Sequence, residues 1–443
     1  MSRPRSDEVG AIAGPVVSLA RPAPEVSQGA FLASHDTPRI HWASPDGLEV
    51  AGAGAAAILA ADGEDRINAI RARADELLAT VDHDGPVETR PRLFGGFSFT
   101  DSHTEASPWN GFDPGLFVLP KVQLTSYGGQ TWVSIHEAGP EASVNAVERR
   151  LSAVIEDLES LPDLRPAGEP PGVVETVHHP DESGWRAQVE TALERIERGE
   201  LQKVVLAQTL RAELAGRPNV PDLLERVRRG YEDCFRFLIE PKDGGAFFGA
   251  PPERLVRLHG RTVETEALAG SVPRGETQAE DAELAARLRE DHTLRTEQEL
   301  VTETIEAALS PLGNVEVGDR EIRRLSNIQH LRTPIEMTLR EAGHVLDLVA
   351  ELHPTPAVGG LPPEAALATI REIEPFERGW YAAPVGWMDA DGNGEFAVAI
   401  RSAVAAEQAV TLFAGNGIVA GSKPSIEWTE LQQKYRPILD ELR

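Results

Sequence analysis

Lys203 is the residue whose chemistry stands out first. It enters the apolar run Leu201-Gln202-Lys203-Val204-Val205-Leu206-Ala207, which reads as a buried strand. Of the 43 basic residues in this 443-residue chain, only five are lysines (Lys121, Lys203, Lys242, Lys423 and Lys434); the other 38 are arginines. A desolvated amine can lose its proton and serve as a general base, which a guanidinium cannot do. The plain structural alternative is a lysine at the edge of a strand. Glu297 is the second such residue. It falls within the apolar stripe Leu284, Leu288, Leu294, Val301, Ile305 and Ala308 of a helical segment. A carboxylate on a buried face needs a partner, either a bound divalent ion or a buried arginine.

Glu427, Glu430 and Lys434 recur at spacings of three and four after Pro424 and so share one helix face. Surface ion pairing explains such a pattern, and so does a site for a metal and an anion. Oxygen-only ligands of this kind suit Mg²⁺, which takes one or two protein carboxylates and fills its shell with water and substrate oxygens. Two glycine-containing segments, Ala267-Leu268-Ala269-Gly270-Ser271 and Phe413-Ala414-Gly415-Asn416-Gly417-Ile418, would let backbone N–H groups approach a carboxylate.

The elements that carry these residues alternate in a recognisable way. The spacing predicts helices over 64–81, 144–161, 183–198, 277–310 and 424–442, with Ser183 as the cap of the third. Strands are predicted at 93–99, 116–124, 131–135, 201–207, 236–239, 245–249, 255–258, 262–265, 395–404 and 408–414. Strands in meanders with helices outside them indicate an α+β fold rather than a doubly wound parallel sheet. Residues 1–30 read as loose, 31–175 as a variable N-terminal part, 162–180 as a proline-rich connector, and 180–443 as the region that holds the chemistry. Pro437 is predicted to kink the last helix after Lys434.

Composition narrows the function. A formal charge of −28 would repel nucleic acid and anionic membrane surfaces. Scarce lysine and abundant Asp and Glu indicate adaptation to salt. Cys234 is the only cysteine, so neither an intrachain disulfide nor a cysteine metal site is available. No apolar run approaches the ~20 residues that span a bilayer. The N-terminus has no signal-peptide core, and a cytoplasmic enzyme is expected.

The ordered set of motifs resembles the chorismate-utilising enzymes, a family that includes isochorismate synthase, salicylate synthase and the large subunits of anthranilate and aminodeoxychorismate synthase. The motifs are Lys203-Val204-Val205-Leu206, Gly249-Ala250-Pro251-Pro252-Glu253-Arg254-Leu255, Thr265-Glu266-Ala267-Leu268-Ala269-Gly270, Glu297-Gln298-Glu299-Leu300-Val301, Gln329-His330-Leu331, the run from Leu352 to Gly360, Gly392-Asn393-Gly394-Glu395, Ile400-Arg401, Phe413-Ala414-Gly415, and Glu427 through Lys434.

The resemblance implies large antiparallel sheets in a sandwich flanked by helices, with chorismate as substrate and Mg²⁺ as cofactor. It implies that Lys203 activates water for attack at C2 and that Glu253 protonates the departing C4 hydroxyl. Glu297 and Glu430 would be direct Mg²⁺ ligands and Glu427 a water-mediated one. Backbone near Gly270 and Ser271 would aid the C1 carboxylate; Tyr381, Arg401, Lys434 and Gly415 would contact the substrate's carboxylates, and His330 would line the ring. Lysine at 203, where amine-adding members carry glutamine, implies water as nucleophile and no glutamine amidotransferase subunit. A monomer or weak homodimer is expected. Gly379-Trp380-Tyr381 resembles the menaquinone branch, and Ala357 and Ile400, in place of Thr and Leu, imply release of isochorismate rather than salicylate. Three positions depart from the family pattern: Leu294 replaces an acidic residue, Gln208 an arginine and Asn416 an alanine.

Overall fold

The computed structural model describes residues 14–104, 108–163, 165–324 and 328–443, and only the backbone of Ser271 and Thr293. Among these residues the strands are β1 (Val16–Pro22), β2 (Arg39–Ala43), β3 (Glu49–Ala61), β4 (Val81–Asp84), β5 (Arg92–Phe97), β6 (Gly115–Tyr127), β7 (Gln130–Ala138), β8 (Val173–His179), β9 (Lys203–Leu214), β10 (Arg236–Glu240), β11 (Ala246–Gly249), β12 (Arg254–His259), β13 (Thr262–Pro273), β14 (Gly313–Val317), β15 (Glu321–Arg324), β16 (Ile328–Leu339), β17 (Gly360–Leu361), β18 (Pro384–Asp389), β19 (Gly394–Val398), β20 (Ser402–Ala406) and β21 (Ala409–Val419). The helices are α1 (Gln28–Ser34), α2 (Arg66–Leu78), α3 (Val144–Leu158), α4 (Glu182–Glu197), α5 (Val220–Gly230), α6 (Gln278–Glu290), α7 (His292–Leu309), α8 (Val345–Leu352), α9 (Pro363–Ile373) and α10 (Pro424–Leu439).

The strand ladder branches at β6. On one edge β6 pairs with β3 along its whole length; on the other it pairs with β5 near its start and β7 near its end. One arm runs β3-β2-β10-β11-β20-β21-β9-β8. The other runs β5-β18-β19-β12-β13-β16, with β14 and β15 both against β16. All of these pairings are antiparallel; β1 with β4 is the parallel one among the described residues. The arms meet over an aromatic cluster. Phe247 of the first arm lies 6.2 Å from Trp380, which leads into β18, and Trp109 packs on both Phe247 and Phe413. This is the α+β architecture of antiparallel sheets expected from the chain's patterning, with α10 packed on β21, and α7 on β13 and β16.

Several local expectations are corrected. The segment 1–30 is not loose from residue 14 onwards: β1 is zipped between β4 and β7, and α1 begins at Gln28 with Ser27 as its cap. Residues 1–13 lie outside the described residues. The proline-rich connector contains β8, which pairs with β9. The N-terminal part is joined to the C-terminal region through the sheet, since β2 pairs with β10 and β5 with β18. Asp181 rather than Ser183 caps α4: its carboxylate accepts from Gly184 N and Ser183 Oγ, both at 2.8 Å. The predicted 277–310 helix is two helices, because Asp291 ends α6 and caps α7 by accepting from Leu294 N at 3.0 Å. The predicted 395–404 strand is interrupted between β19 and β20. Pro437 lies within α10, which ends two residues later at Leu439.

Candidate active site

The Asp291 break brings Glu297 into the second turn of α7, facing the start of β9. There Lys203 Nζ donates to Glu297 Oε1 at 2.6 Å. Lys203 is 3% exposed, so the pair is shielded from water on the lysine side. The protein partner of the stripe carboxylate is therefore a lysine rather than an arginine. Two glycines permit this approach. A Cβ at Gly417, on the neighbouring β21, would lie 2.8 Å from Lys203 Cε. Gly270 sits at a bulge of β13 with φ of +69°, and a Cβ there would lie 3.2 Å from Leu294 Cβ on α7.

Glu253 immediately precedes β12 and is 5% exposed. Its backbone carbonyl accepts from Val398 N at 3.1 Å, which ties this position to β19. Burial, followed by the negative charge of Glu266, pushes its carboxyl up to about 8. The nearby charges of Lys203, Arg323 and Arg401 act in the opposite direction. At neutral pH the group is therefore an acid that still holds its proton. Glu266 is itself buried and paired: it accepts from Arg323 Nη1 at 2.9 Å, from Arg332, and from the backbone of Arg254 at 3.1 Å.

A cavity of about 230 Å³ gathers nearly every residue singled out in the sequence. Lys203, Glu253, Gly270, Glu297, His330, Ala357, Tyr381, Arg401, Gly415, Glu427, Glu430 and Lys434 all line it. Ser271 follows the bulge in β13, opposite His330; its side chain lies outside the described atoms. Burial and the charge of Arg401 depress the His330 imidazole to about 3, so it is neutral. Burial raises the Tyr381 phenol to about 12, and its ring stacks on Phe413 with centroids 5.3 Å apart. Arg401 occupies the interruption between β19 and β20 with φ of +52°, and Ala382 has φ of +61°. Such left-handed non-glycine residues cost on the order of 1–2 kcal/mol each and cluster at functional sites.

The opposite wall is α10. Lys434 Nζ donates to the Gly415 carbonyl at 3.0 Å, to Glu430 Oε1 at 2.7 Å and to Asn416 Oδ1. Burial lowers the pKa of Lys434. Burial and the charge of Glu430 raise that of Glu427. Among the described residues no three acidic, histidine or cysteine groups converge closely enough to cage a metal ion. Mg²⁺ does not require such a cage, since water and substrate supply the remaining oxygens. Glu297 and Glu430 offer carboxylate oxygens to one cavity from two helices, and the crowding of Glu427 against Glu430 is what a cation would relieve. The donor set fits a hard divalent ion.

Two structural supports escaped sequence reasoning. Arg378 is buried and forms a fork with Glu374, Nε to Oε2 at 2.9 Å and Nη2 to Oε1 at 2.6 Å. It also donates to the carbonyls of Val205 and Val358, which flank the cavity, while Glu374 accepts from Ala207 N at 2.7 Å. The i, i+4 spacing of Glu374 and Arg378 was the available signal. The second support is Gln208, which donates to the Pro180 carbonyl at 2.8 Å and whose carbonyl accepts from Tyr435 Oη at 2.9 Å.

The family described as "Chorismate binding enzyme" matches residues 11–443. The chain is 38% identical over 356 residues to isochorismate synthase MenF of Bacillus subtilis (strain 168), covering 80% of this chain and 74% of that one. It is 36% identical over 397 residues to the salicylate biosynthesis isochorismate synthase of Pseudomonas aeruginosa, covering 89% and 82%. The solved structure of MenF, the menaquinone-specific isochorismate synthase from Escherichia coli, matches with a TM-score of 0.81 at 28% identity, covering 97% of this chain and 95% of that one. Anthranilate synthase component I from Streptococcus pneumoniae TIGR4 shares the fold, with a TM-score of 0.75 at 20% identity, covering 89% and 93%.

Proposed function

The chain belongs to the chorismate-binding enzyme family, and from that premise we propose that it is a Mg²⁺-dependent isochorismate synthase that adds water at C2 of chorismate with loss of the C4 hydroxyl. The observation that carries this reading is the presence, in one cavity, of a buried lysine and a buried carboxyl held at about 8. The carboxyl has a proton to give the departing hydroxyl, and the lysine is the group assigned to take one from water, which is what water addition coupled to hydroxyl departure requires.

The step balances as follows. The Lys203 amine takes a proton from water as the water oxygen bonds to C2. The C1=C2 electrons move to C1–C6, and the C5=C6 electrons move to C4–C5. The C4–O bond breaks, and Glu253 gives its proton to the leaving hydroxyl, which departs as water. Lys203 ends as ammonium and Glu253 as carboxylate, and solvent resets both. The product is an isomer of the substrate. Lys203 must first leave Glu297 and give up a proton to solvent, so that the free amine is available. Glu297 and Glu430 would hold Mg²⁺ directly and Glu427 through water. Bound there, the ion would neutralise the C1 carboxylate and polarise the ring. Arg401 and Tyr381 would receive the remaining anionic charge, with His330 neutral against the ring.

Ala357 and Ile400 line the same cavity. Ala357 offers no hydrogen bond to hold the intermediate for pyruvate elimination, so the product assigned is free isochorismate. Gly379-Trp380-Tyr381 supports a place in the menaquinone branch. The test is chromatography of the products from purified enzyme and chorismate, with Mg²⁺ or with a chelator, in parallel with Glu297→Gln and Glu430→Gln. Isochorismate only with Mg²⁺ and only from the wild type is expected. Full activity of either variant at limiting Mg²⁺ would overturn the metal assignment, and salicylate with pyruvate as main products would overturn the product.

A further inference from the structure

Asn416 follows Gly415 on β21, and its side chain is turned into the interface with α10 at 1% exposure. Nδ2 donates to the Glu427 carboxylate Oε2 at 3.0 Å and to the Glu427 carbonyl at 2.9 Å. Oδ1 accepts from Lys434 Nζ. Glu427 and Lys434 stand about two turns apart on one helix face, so one amide spans both ends of the α10 surface that borders the cavity. An amide has two N–H donors and a carbonyl acceptor, and all of this capacity is directed at two groups of the site.

Lys434 completes the picture. An ammonium has three protons to donate. Here they go to the Gly415 carbonyl, to Asn416 and to Glu430. Lys434 therefore presents charge to the cavity while its donors stay within the protein. A side chain without Oδ1 at position 416 would leave one of those donors unused, and one without Nδ2 would leave the Glu427 carboxylate held by Ser422 without its second partner.

We propose that Asn416 is a positioning residue for the cation site: it pre-sets the Glu427 carboxylate and the Lys434 ammonium on the α10 wall, and through Glu427 it raises affinity for the divalent ion. The proposal rests on the reading of Glu427 as an outer ligand of Mg²⁺. Groups that orient metal ligands commonly change affinity by roughly 10–100-fold when removed. Glu427 acts through water, so the lower end of that range applies.

The test is calorimetric titration of the substrate-free full chain with Mg²⁺ alone, for wild type, Asn416→Ala, Glu427→Ala and the double variant. Asn416→Ala should raise the Mg²⁺ dissociation constant roughly tenfold. In the Glu427→Ala background the same substitution should change it less than twofold, because the group through which Asn416 acts is gone. Asn416→Leu, which keeps the bulk and removes the hydrogen bonds, should reproduce the Mg²⁺ effect if the alanine variant folds poorly. If wild type binds no Mg²⁺, the cation reading falls and this inference with it. If wild type binds Mg²⁺ and both Asn416 variants bind it equally well, or if their effects add to that of Glu427→Ala, only the role of Asn416 is overturned.

Discussion

At the scale of the residue, Glu253 carries the sharpest consequences. Its carboxyl is held at about 8 chiefly by burial, with Glu266 adding to the shift. In its proposed role as general acid it must be protonated, so kcat/KM should fall as pH rises through about 8. The limb for kcat should lie higher, because a bound dianion further disfavours the charged carboxylate. Stability follows the same sign. A folded pKa above the unfolded value means that the native state binds more protons between about 4.5 and 8. The stability this group contributes is present below about 4.5 and is lost as pH rises to 8. Glu253→Gln keeps the neutral shape and removes that loss. It should be inactive, yet more stable than wild type by on the order of a few kcal/mol at pH 8.5 and about equal to it near pH 4.5. Melting temperatures of both proteins across that range check the claim; a pH-independent difference would contradict it. A residue that destabilises the fold where it works is the expected signature of an active-site acid.

At the scale of the element, the site depends on how closely β9, β21 and α7 approach. Gly417 is where this can be tested without replacing a reacting group. A methyl there meets the Cε of Lys203 at 2.8 Å and lies 3.5 Å from Glu297 Oε1. The contact is with the far end of a flexible side chain, so the fold can yield and the melting temperature should move by only a few degrees. The amine, however, must leave its place, and displacement by about 1 Å can cost on the order of 100-fold in rate. Gly417→Ala should therefore lose one to two orders of magnitude in kcat, and unchanged kcat would mean that Lys203 is not held as described. The elements themselves were unevenly legible in the sequence. Lys203, Glu253, Glu297, Glu427, Glu430 and Lys434 could be picked out because their chemistry is written in local runs and in the order of motifs. Helix periodicity located α2, α3, α4 and α10 to within a few residues. The split at Asp291 was missed because the apolar stripe continues across it, and only the cap geometry reveals the break. β8 was missed because prolines dominate its neighbourhood, and its pairing with β9 is a tertiary fact. The buried Arg378–Glu374 fork joins the loop after α9 to β9, and the bridge from Asn416 joins β21 to α10. Such contacts form only once distant segments meet, and a single chain carries no local record of them.

At the scale of the whole molecule, a formal charge of −28 surrounds a cavity that must admit a dianion. Arg401 and Lys434 give the cavity positive groups, while the acidic exterior opposes substrate entry and repels itself. Molar salt shortens the Debye length to about 3 Å and screens both effects. We expect the melting temperature to rise by several degrees, and kcat/KM to rise or hold, between about 0.1 and 2 M KCl; a flat or falling melting temperature would argue against salt adaptation. No described helix is long and apolar enough to cross a membrane. The branching of the ladder at β6 is the global feature least visible in the sequence, yet it brings Lys203 on one arm and Glu253 on the other to a single cavity. The central claim is that water, drawn in by Lys203, bonds to C2 while the C4 hydroxyl leaves through Glu253. Its most direct measurement is mass spectrometry of the product formed at low conversion in H₂¹⁸O with Mg²⁺. The account predicts isochorismate carrying one ¹⁸O, located in the C2 hydroxyl. Unlabelled isochorismate, which would mean that the original hydroxyl migrates within the substrate, would contradict it.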